Sequence, residues 1–266
     1  MRGISAKSLD EVLTAVGAVK AGSGELGAEL FNVVATLDRE PALRRVLTDP
    51  STEAAAKAGL AQQIFGGQVS ADASTVVQVA VSGRWASGRD LTDGLETAGV
   101  TALVAAADSA GELDDVETEL FEVGRFVRSD AELRQVVSDR GLPATAKAEL
   151  LGTLLGGKVT ATTLALASQA AAARTGSFER ALAAFGVTAA ARRSRLLAEV
   201  RVASELGDAE KTRLAAALGK KYGRDVHLNI VIDPSIVGGI SVSVGDEVVD
   251  GSMSTRLEVA RRRLAG

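Results

Sequence analysis

Two glycine-rich segments come closest to a phosphate-binding pattern. Residues 22–27 fit the G-x-G-x-x-G spacing that holds a pyrophosphate at a helix N-terminus directly after a strand. Residues 152–158 nearly fit a P-loop, but Val159 stands where that motif needs a hydroxyl for magnesium. The residues before Gly22 have helical composition, so the first pattern lacks its strand. We expect an interhelical turn and a glycine-terminated helix, respectively, and no cofactor.

The titratable residues form no catalytic constellation. His227 is the single histidine and lacks a neighbouring serine and carboxylate that would make it a general base. The chain contains no cysteine, which excludes disulfides and thiolate ligands, and no metal site is expected. Trp85, the single tryptophan, is either a core residue or a binding anchor. These observations favour a protein that is not an enzyme.

Charge and hydropathy limit the class of partner. The chain has 30 basic and 34 acidic residues, well mixed, for a net charge of -4, which disfavours nucleic acid because its binding depends on neutralising phosphates. No uncharged apolar run reaches the roughly 18 residues of a membrane span, and the N-terminus does not resemble a secretory signal. We expect a cytoplasmic protein that meets a membrane only through its partners.

An internal duplication dominates the organisation of the chain. With a shift of 90 residues, 16 of the 41 positions from 29 to 69 are identical to their counterparts from 119 to 159. Four matched pairs are the strongest candidates for a shared role: Leu43 and Leu133, Arg44 and Arg134, Asp49 and Asp139, and Lys57 and Lys147. The two lysines could bind a partner's carboxylate, although a solvated helix face is the expected reading.

Within each copy, apolar residues recur every three or four positions, which predicts a bundle of five or six short amphipathic helices. The low aromatic content of 3% and the abundance of alanine agree with close-packed helices. Residues 90–108 have helix-favouring composition and would lead from the first copy directly into the second. We expect this segment to be shared as one long connecting helix.

A third region follows residue 195. A helix from 208 to about 222, with Asp208 as its N-cap, precedes an alternating strand over 226–232 and a hairpin over 240–249. A final helix is expected from about Ser252. The predicted fold is mainly α, with two tandem helical bundles followed by a small α+β domain. The predicted domains are 1–100, 101–190 and 191–266.

The segment from Val226 to Leu264 resembles the C-terminal signature of ATP synthase delta subunits, which in mitochondria correspond to the oligomycin-sensitivity conferring protein. The residues that carry this resemblance are Asp233, Pro234, Gly238, Gly239, Gly245, Asp246, Asp250, Gly251, Ser252, Arg256 and Leu257. The matched positions of both copies also resemble the helical domain of that family, and a duplicated helical domain is similar to actinobacterial members. Asp139-Arg140 departs from the commoner Asp-Pro seen at Asp49, so the second copy is expected to lack that helix stop.

The resemblance implies a non-catalytic connector in the peripheral stalk of an F-type ATP synthase. Its partners would be the N-termini of the alpha subunits and the b subunit, with a further contact to the beta subunit left open. Such a protein resists rotor torque at the cytoplasmic face of the cell membrane. We expect the second copy to bind the head and the first to brace the stalk or another alpha subunit. The alternative is a stand-alone helical scaffold that binds amphipathic peptides, against which the C-terminal signature argues.

Overall fold

The structure is a computed structural model, and it divides the chain into two compact units, residues 1–190 and 191–266. The predicted boundary between residues 100 and 101 remains a prediction, because both helical copies fall in the first unit. The residues that the structure describes are 3–19, 24–173, 176–193, 196–204, 206–223, 226–233, 236, 239–244 and 247–250.

Helices make up the described part of the first unit, as the three- and four-residue spacing predicts. In chain order they are α1 (Ile4–Ala18), α2 (Glu25–Arg39), α3 (Pro41–Leu47), α4 (Ala54–Phe65), α5 (Ala71–Ser82), α6 (Gly88–Ala110), α7 (Leu113–Ser129), α8 (Ala131–Ser138), α9 (Ala144–Leu155), α10 (Ala161–Ala171) and α11 (Phe178–Arg193). None of these helices is long and apolar enough to span a bilayer.

Two hydrophobic cores lie in this unit, one for each copy. Leu30 of α2 is buried in the first core, and its counterpart Leu120 of α7 is buried in the second. The matched residues Leu43 and Leu133 also pack on the first and second core, respectively. Each such leucine contributes about 1.5–3 kcal/mol when fully buried. The repeated leucines therefore hold the same inward positions in both bundles.

The predicted connecting helix is confirmed as α6, which has 23 residues and belongs to both cores. Leu91 and Leu95 of α6 are buried in the first core, whereas Leu103 and Val104 are buried in the second. From residue 91 to 107 no residue of α6 is exposed. The shift of 90 residues places the last part of α6 in register with α1, so α6 is the sixth helix of the first copy and the first helix of the second.

Close contact between α2 and α6 depends on two glycines. A Cβ atom at Gly27 would lie 2.5 Å from Cγ of Leu103 and 2.8 Å from the carbonyl oxygen of Gly99. A Cβ atom at Gly99 would lie 2.5 Å from Cε1 of Phe31. Since real Cβ contacts are longer than this, the helices could not approach so closely with side chains at these positions. The approach brings Phe31 of the first copy against the core of the second.

The second unit contains a four-stranded sheet with the strand order β2-β1-β3-β4. Strands β1 and β2 are parallel, and both the β1–β3 and the β3–β4 pairs are antiparallel. The helix α12 connects the two parallel strands, because a parallel pair requires a crossover. The bounds are β1 (Leu196–Val202), α12 (Asp208–Tyr222), β2 (Val226–Ile232), β3 (Ile240–Val244) and β4 (Glu247–Asp250).

This arrangement confirms the predicted strand and hairpin, with Val242 of β3 paired to Val249 of β4. The mainly helical class with a C-terminal α+β region is also confirmed. The N-cap prediction was wrong: Gly207 caps α12, and Asp208 is the first helical residue. The amide of Gly207 donates to the Oε2 atom of Glu210 at 2.9 Å, so the glutamate satisfies the helix start. The helix expected from Ser252 lies outside the described residues.

Candidate interaction surfaces

The two matched lysines are buried, so the expected solvated helix face was wrong. Lys57 is 4% exposed and its Nζ donates to the carbonyl oxygen of Gly83 at 3.3 Å. Lys147 is 6% exposed and its Nζ donates to the carbonyl oxygen of Ala171 at 3.0 Å. Each lysine thus joins the fourth helix of its copy to the C-terminal end of the fifth. In this conformation the ammonium groups serve the packing of the bundle and are not presented to a partner.

Burial lowers the pKa of Lys57 and of Lys147, because removal from water disfavours the charged amine. Nearby Arg84 lowers the pKa of Lys57 further. The carboxylates of Asp49 and Asp139 act in the opposite direction on Lys57 and Lys147, respectively. The matched aspartates and lysines therefore form an electrostatic pair in each copy.

Asp49 and Asp139 also shape the chain directly after α3 and α8. Oδ1 of Asp49 accepts hydrogen bonds from the amide of Ser51 at 2.8 Å and from its hydroxyl at 2.7 Å, which lowers the pKa of the carboxyl group. Oδ1 of Asp139 accepts from the amide of Gly141 at 2.8 Å. The second copy therefore keeps a helix stop that we expected it to lack, because the aspartate turn replaces the missing proline.

A second matched contact was not predicted. The carboxylate of Glu29 accepts from the amide of Ser70 at 2.8 Å and from its hydroxyl at 2.6 Å. In the second copy, Glu119 accepts from the amide and hydroxyl of Thr160 at 2.9 and 2.8 Å. Ser70 and Thr160 are the N-caps of α5 and α10. One sequence signal could have predicted this contact: both copies have a glutamate 41 residues before a serine or threonine.

The matched arginines make different contacts. Nη1 of Arg44 donates to the carbonyl oxygen of Leu37 at 3.3 Å and to Oδ1 of Asp38 at 3.2 Å. In the second copy the position of Asp38 is occupied by Arg128, and Nη1 of Arg134 donates to the carbonyl oxygen of Arg128 at 3.3 Å. The backbone contact is thus similar, but the ion pair is lost.

A compensating carboxylate comes from α11. The pKa of Glu179 is lowered mainly by a hydrogen bond from Ser177 and also by the positive charges of Arg134 and Arg128. The position of Glu179 is occupied by Arg89 in the first copy. In the first copy the acidic residue, Asp38, is on α2 and the basic residue, Arg89, is on α6. In the second copy the basic residue, Arg128, is on α7 and the acidic residue, Glu179, is on α11.

Trp85 is a core residue, which decides between the two readings of its role. Its ring is buried, and Nε1 donates to the carbonyl oxygen of Ala80 at 2.7 Å. A Cβ atom at Gly94 would lie 2.6 Å from the indole Cη2, so the ring packs directly against α6 at this glycine. The indole belongs to the packing of the first copy alone, since its counterpart in the sequence is Thr175.

The glycine pattern over residues 152–158 ends a helix, as expected. Gly156 is the C-cap of α9, and Gly157 has a φ of 71°, a conformation that favours glycine. Nζ of Lys158 donates to the carbonyl oxygen of Leu154 at 2.9 Å, so it turns back on its own helix. In the other pattern, Gly22 lies outside the described residues. Among the described residues, no cluster of acidic or imidazole side chains could hold a metal ion.

Part of the C-terminal signature can be located in the second unit. The amide of Asp233 donates to the carbonyl oxygen of Val202 at 2.9 Å, which joins the end of β2 to the end of β1. Gly239 has a φ of 83°, and Asp250 lies in β4 opposite Ser241. These three positions therefore form or border the sheet. The signature residues outside the described part are Pro234, Gly238, Gly245, Asp246, Gly251, Ser252, Arg256 and Leu257.

One helix face of the second copy exposes a large aromatic ring. Phe121 of α7 is 67% exposed, and the guanidinium carbon of Arg125 lies 6.0 Å from the centre of its ring. Arg125 and Arg128, at the fourth and seventh positions after Phe121, lie on the same face of the helix and are exposed. We call these three residues the α7 face.

Comparison with known protein families and proteins gives consistent matches. The family model described as ATP synthase delta (OSCP) subunit matches residues 100–264. The chain is similar to ATP synthase subunit delta of Streptomyces griseus, with 47% identity over 92% of this chain and 90% of that protein. It is also similar to ATP synthase subunit delta of Thermobifida fusca, with 43% identity over the full length of both, and to that of Nocardia farcinica, with 40% identity over 99% and 98%. These relatives align with both helical copies.

Proposed function

Because the chain belongs to the ATP synthase delta (OSCP) subunit family, we propose that it is a non-catalytic connector between the catalytic head and the peripheral stalk of an F-type ATP synthase. Its helical unit binds N-terminal segments of the alpha subunits, and its C-terminal unit binds the b subunit. It works at the cytoplasmic face of the cell membrane, which it reaches through these partners. The family match is the observation that carries the proposal.

The construction of the helical unit supports a mechanical role. A connector that resists torque must transmit force without its parts sliding past one another. Helix α6 is a structural element of both cores, so the two copies cannot separate without exposing buried leucines to water. Two attachment points on one such body raise the effective concentration for rebinding and slow dissociation.

The extent of the family match supports an assignment of the two copies. The match begins at residue 100 and therefore covers the second copy and the C-terminal unit. We assign the second copy to the head and the first copy to bracing the stalk or another alpha subunit. Crosslinking in the assembled enzyme tests this assignment. It is reversed if residues 1–90 capture the alpha N-termini while residues 111–190 capture none.

The linking role itself is tested by removal and reconstitution. Membranes that lack the chain are expected to lose proton-driven ATP synthesis, and purified chain is expected to restore it. The chain should also co-purify with the alpha, beta and b subunits from detergent-solubilised membranes. Normal coupling without the chain, or purification free of those subunits, would favour the alternative of a stand-alone helical scaffold.

A further inference from the structure

The duplication carries a risk for folding, because many contacts that build one copy are repeated in the other. Leu30 and Leu120 fill equivalent core positions, and Glu29 and Glu119 each accept from the N-cap of the fifth helix of their copy. Contacts of this kind cannot distinguish α6, the sixth helix of the first copy, from α11, the sixth helix of the second. Misassembly between repeats is a characteristic failure of duplicated proteins.

Core packing distinguishes the two helices only after they are in contact. Ala189 of α11 stands where α6 has Gly99, at which a Cβ atom would lie 2.5 Å from Cε1 of Phe31. Phe178 of α11, which is buried, stands where α6 has Gly88. A wrong pairing would therefore suffer overlap in one copy and an empty space in the other. Both effects act at van der Waals distance and cannot direct a helix that is still approaching.

Charged residues meet at one corner of the first copy, where α2, α3 and the start of α6 come together. Nη1 of Arg44 in α3 donates to Oδ1 of Asp38 in α2 at 3.2 Å. The Arg44 side chain also reaches α6, since a Cβ atom at Gly88 would lie 3.0 Å from its Cγ. Arg89 is the next residue of α6 and is exposed. This corner thus has a carboxylate on the second helix and an arginine on the sixth.

The equivalent corner of the second copy contains Arg128 in α7, where it is also part of the α7 face, Arg134 in α8 and Glu179 in α11. A hydrogen bond from Ser177 lowers the pKa of Glu179 most, and the positive charges of Arg134 and Arg128 lower it further. The three charged groups are therefore within electrostatic reach of one another. Here the arginine is on the second helix and the carboxylate is on the sixth.

Neighbouring charges do not remove this contrast. Asp90, at the start of α6, faces α1, where its carboxylate accepts from a serine. Glu40 and Asp130, which precede α3 and α8, are acidic in both copies. Arg39 and Arg45 of the first copy have uncharged counterparts in the second. They add positive charge to the first corner whichever sixth helix approaches it.

Exchange of the sixth helices would unbalance both corners. Helix α11 in the first copy would bring Glu179 to Asp38 and Arg44, which gives two carboxylates and one arginine at the three matched positions. Helix α6 in the second copy would bring Arg89 to two arginines, with no carboxylate. Like charges repel over about 10 Å at moderate ionic strength, which is before the cores come into contact.

We propose that this exchange of charge directs α6 and α11 each to its own copy while the chain folds. Helix α6 is already continuous with the second copy of its own chain, so it takes the place of α11 only in another chain. Misassembly of that kind therefore produces dimers and larger aggregates. The proposal concerns folding alone and does not depend on the linking role proposed above.

Transfer of two residues from the second copy into the first removes the discrimination and keeps the native balance of charge. In the double variant Asp38→Arg with Arg89→Glu, both copies have the carboxylate on the sixth helix, so right and wrong pairings are equivalent at this corner. Stability in urea should match that of the wild type. The yield of monomer after refolding at high protein concentration, measured by size-exclusion chromatography with light scattering, should fall by about two- to fivefold.

The matched control adds Arg128→Asp and Glu179→Arg to the double variant. The four substitutions make the two corners different again with their arrangements interchanged, so the monomer yield should return to the wild-type value. All other charges stay the same across the variants, and circular dichroism shows whether each is folded. Added salt should lower the wild-type yield towards that of the double variant, whose own yield should change much less.

Three results overturn the proposal. The first is a double variant that refolds as well as the wild type. The second is a fourfold variant that refolds no better than the double variant, since a general effect of substitution would not be rescued. The third is a double variant that is less stable in urea by as much as its yield is reduced, which identifies the corner as a stabilising contact only.

Discussion

Replacement of Gly27 by alanine tests the close contact between α2 and α6. In a helix, alanine is favoured over glycine by at most about 1 kcal/mol. At this position the new Cβ would lie 2.5 Å from Leu103 Cγ and 2.8 Å from the Gly99 carbonyl oxygen. Overpacking of this kind costs about 1–3 kcal/mol, and a backbone atom cannot move aside as a side chain can. We expect Gly27→Ala to lower the free energy of unfolding by about 1–2 kcal/mol.

The matched control is Gly59→Ala in α4. Gly59 is exposed, and no atom lies within 4 Å of the position of an added Cβ. This substitution should therefore show the helix preference of alanine alone and raise stability by about 0.5–1 kcal/mol. The two variants make the same chemical change and are expected to shift stability in opposite directions.

Urea unfolding followed by tryptophan fluorescence measures the first core, because Trp85 is the single tryptophan and is buried there. Hydrogen exchange of residues 144–171 measures the second. Since α6 belongs to both cores, Gly27→Ala should reduce the stability seen by both probes. A Gly27→Ala protein as stable as Gly59→Ala would refute the close contact, and a loss confined to the first core would refute coupling through α6.

Three further substitutions test other contacts. Glu119→Ala removes two hydrogen bonds to Thr160 and should cost about 1–2 kcal/mol by thermal unfolding, more than Glu29→Ala, whose contact is more exposed. The folded state lowers the pKa of Lys147 below 10.5, so it releases a proton that the unfolded state keeps, and stability should rise with pH towards that value. Lys147→Met should flatten this rise in urea titrations made at increasing pH up to about 10.5, and an unchanged slope would contradict the assignment. Trp85→Phe removes the indole donor and should cost about 1–2 kcal/mol in calorimetry, with an unchanged melting temperature as the contrary result.

The features that followed from the sequence are those set by hydrophobic spacing. The duplication and the helices of each copy were visible because buried leucines such as Leu30 and Leu120 recur at fixed intervals. The shared helix could be predicted because residues 90–108 contain no stop signal. The strand over 226–232 followed from simple alternation. These patterns depend on which face of a helix or strand is apolar. The order of apolar and polar residues in a single sequence shows that face directly.

The features that were missed depend on tertiary contacts. Lys57 and Lys147 were expected to be solvated because lysine is rarely buried, and nothing local shows that a backbone carbonyl from a helix 24 or 26 residues later receives the ammonium group. Phe31 and Phe121 occupy equivalent positions of the two copies, yet Phe31 is half-buried and Phe121 is exposed. This difference arises from packing in three dimensions and is not recorded in the residues around either ring.

Because α6 is part of both bundles, it determines how repeats can be added to or removed from a protein of this kind. Each 90-residue repeat adds five helices, because its sixth is also the first of the next repeat. Helix α11 is the sixth helix of the second copy, as α6 is the sixth helix of the first. Another repeat would therefore begin with α11. In this chain α11 is instead followed by the strands of the second unit. Excision of the first copy would leave Leu91 and Leu95 in water. Shortening the protein to a single bundle therefore requires new polar residues along α6, in addition to a deletion.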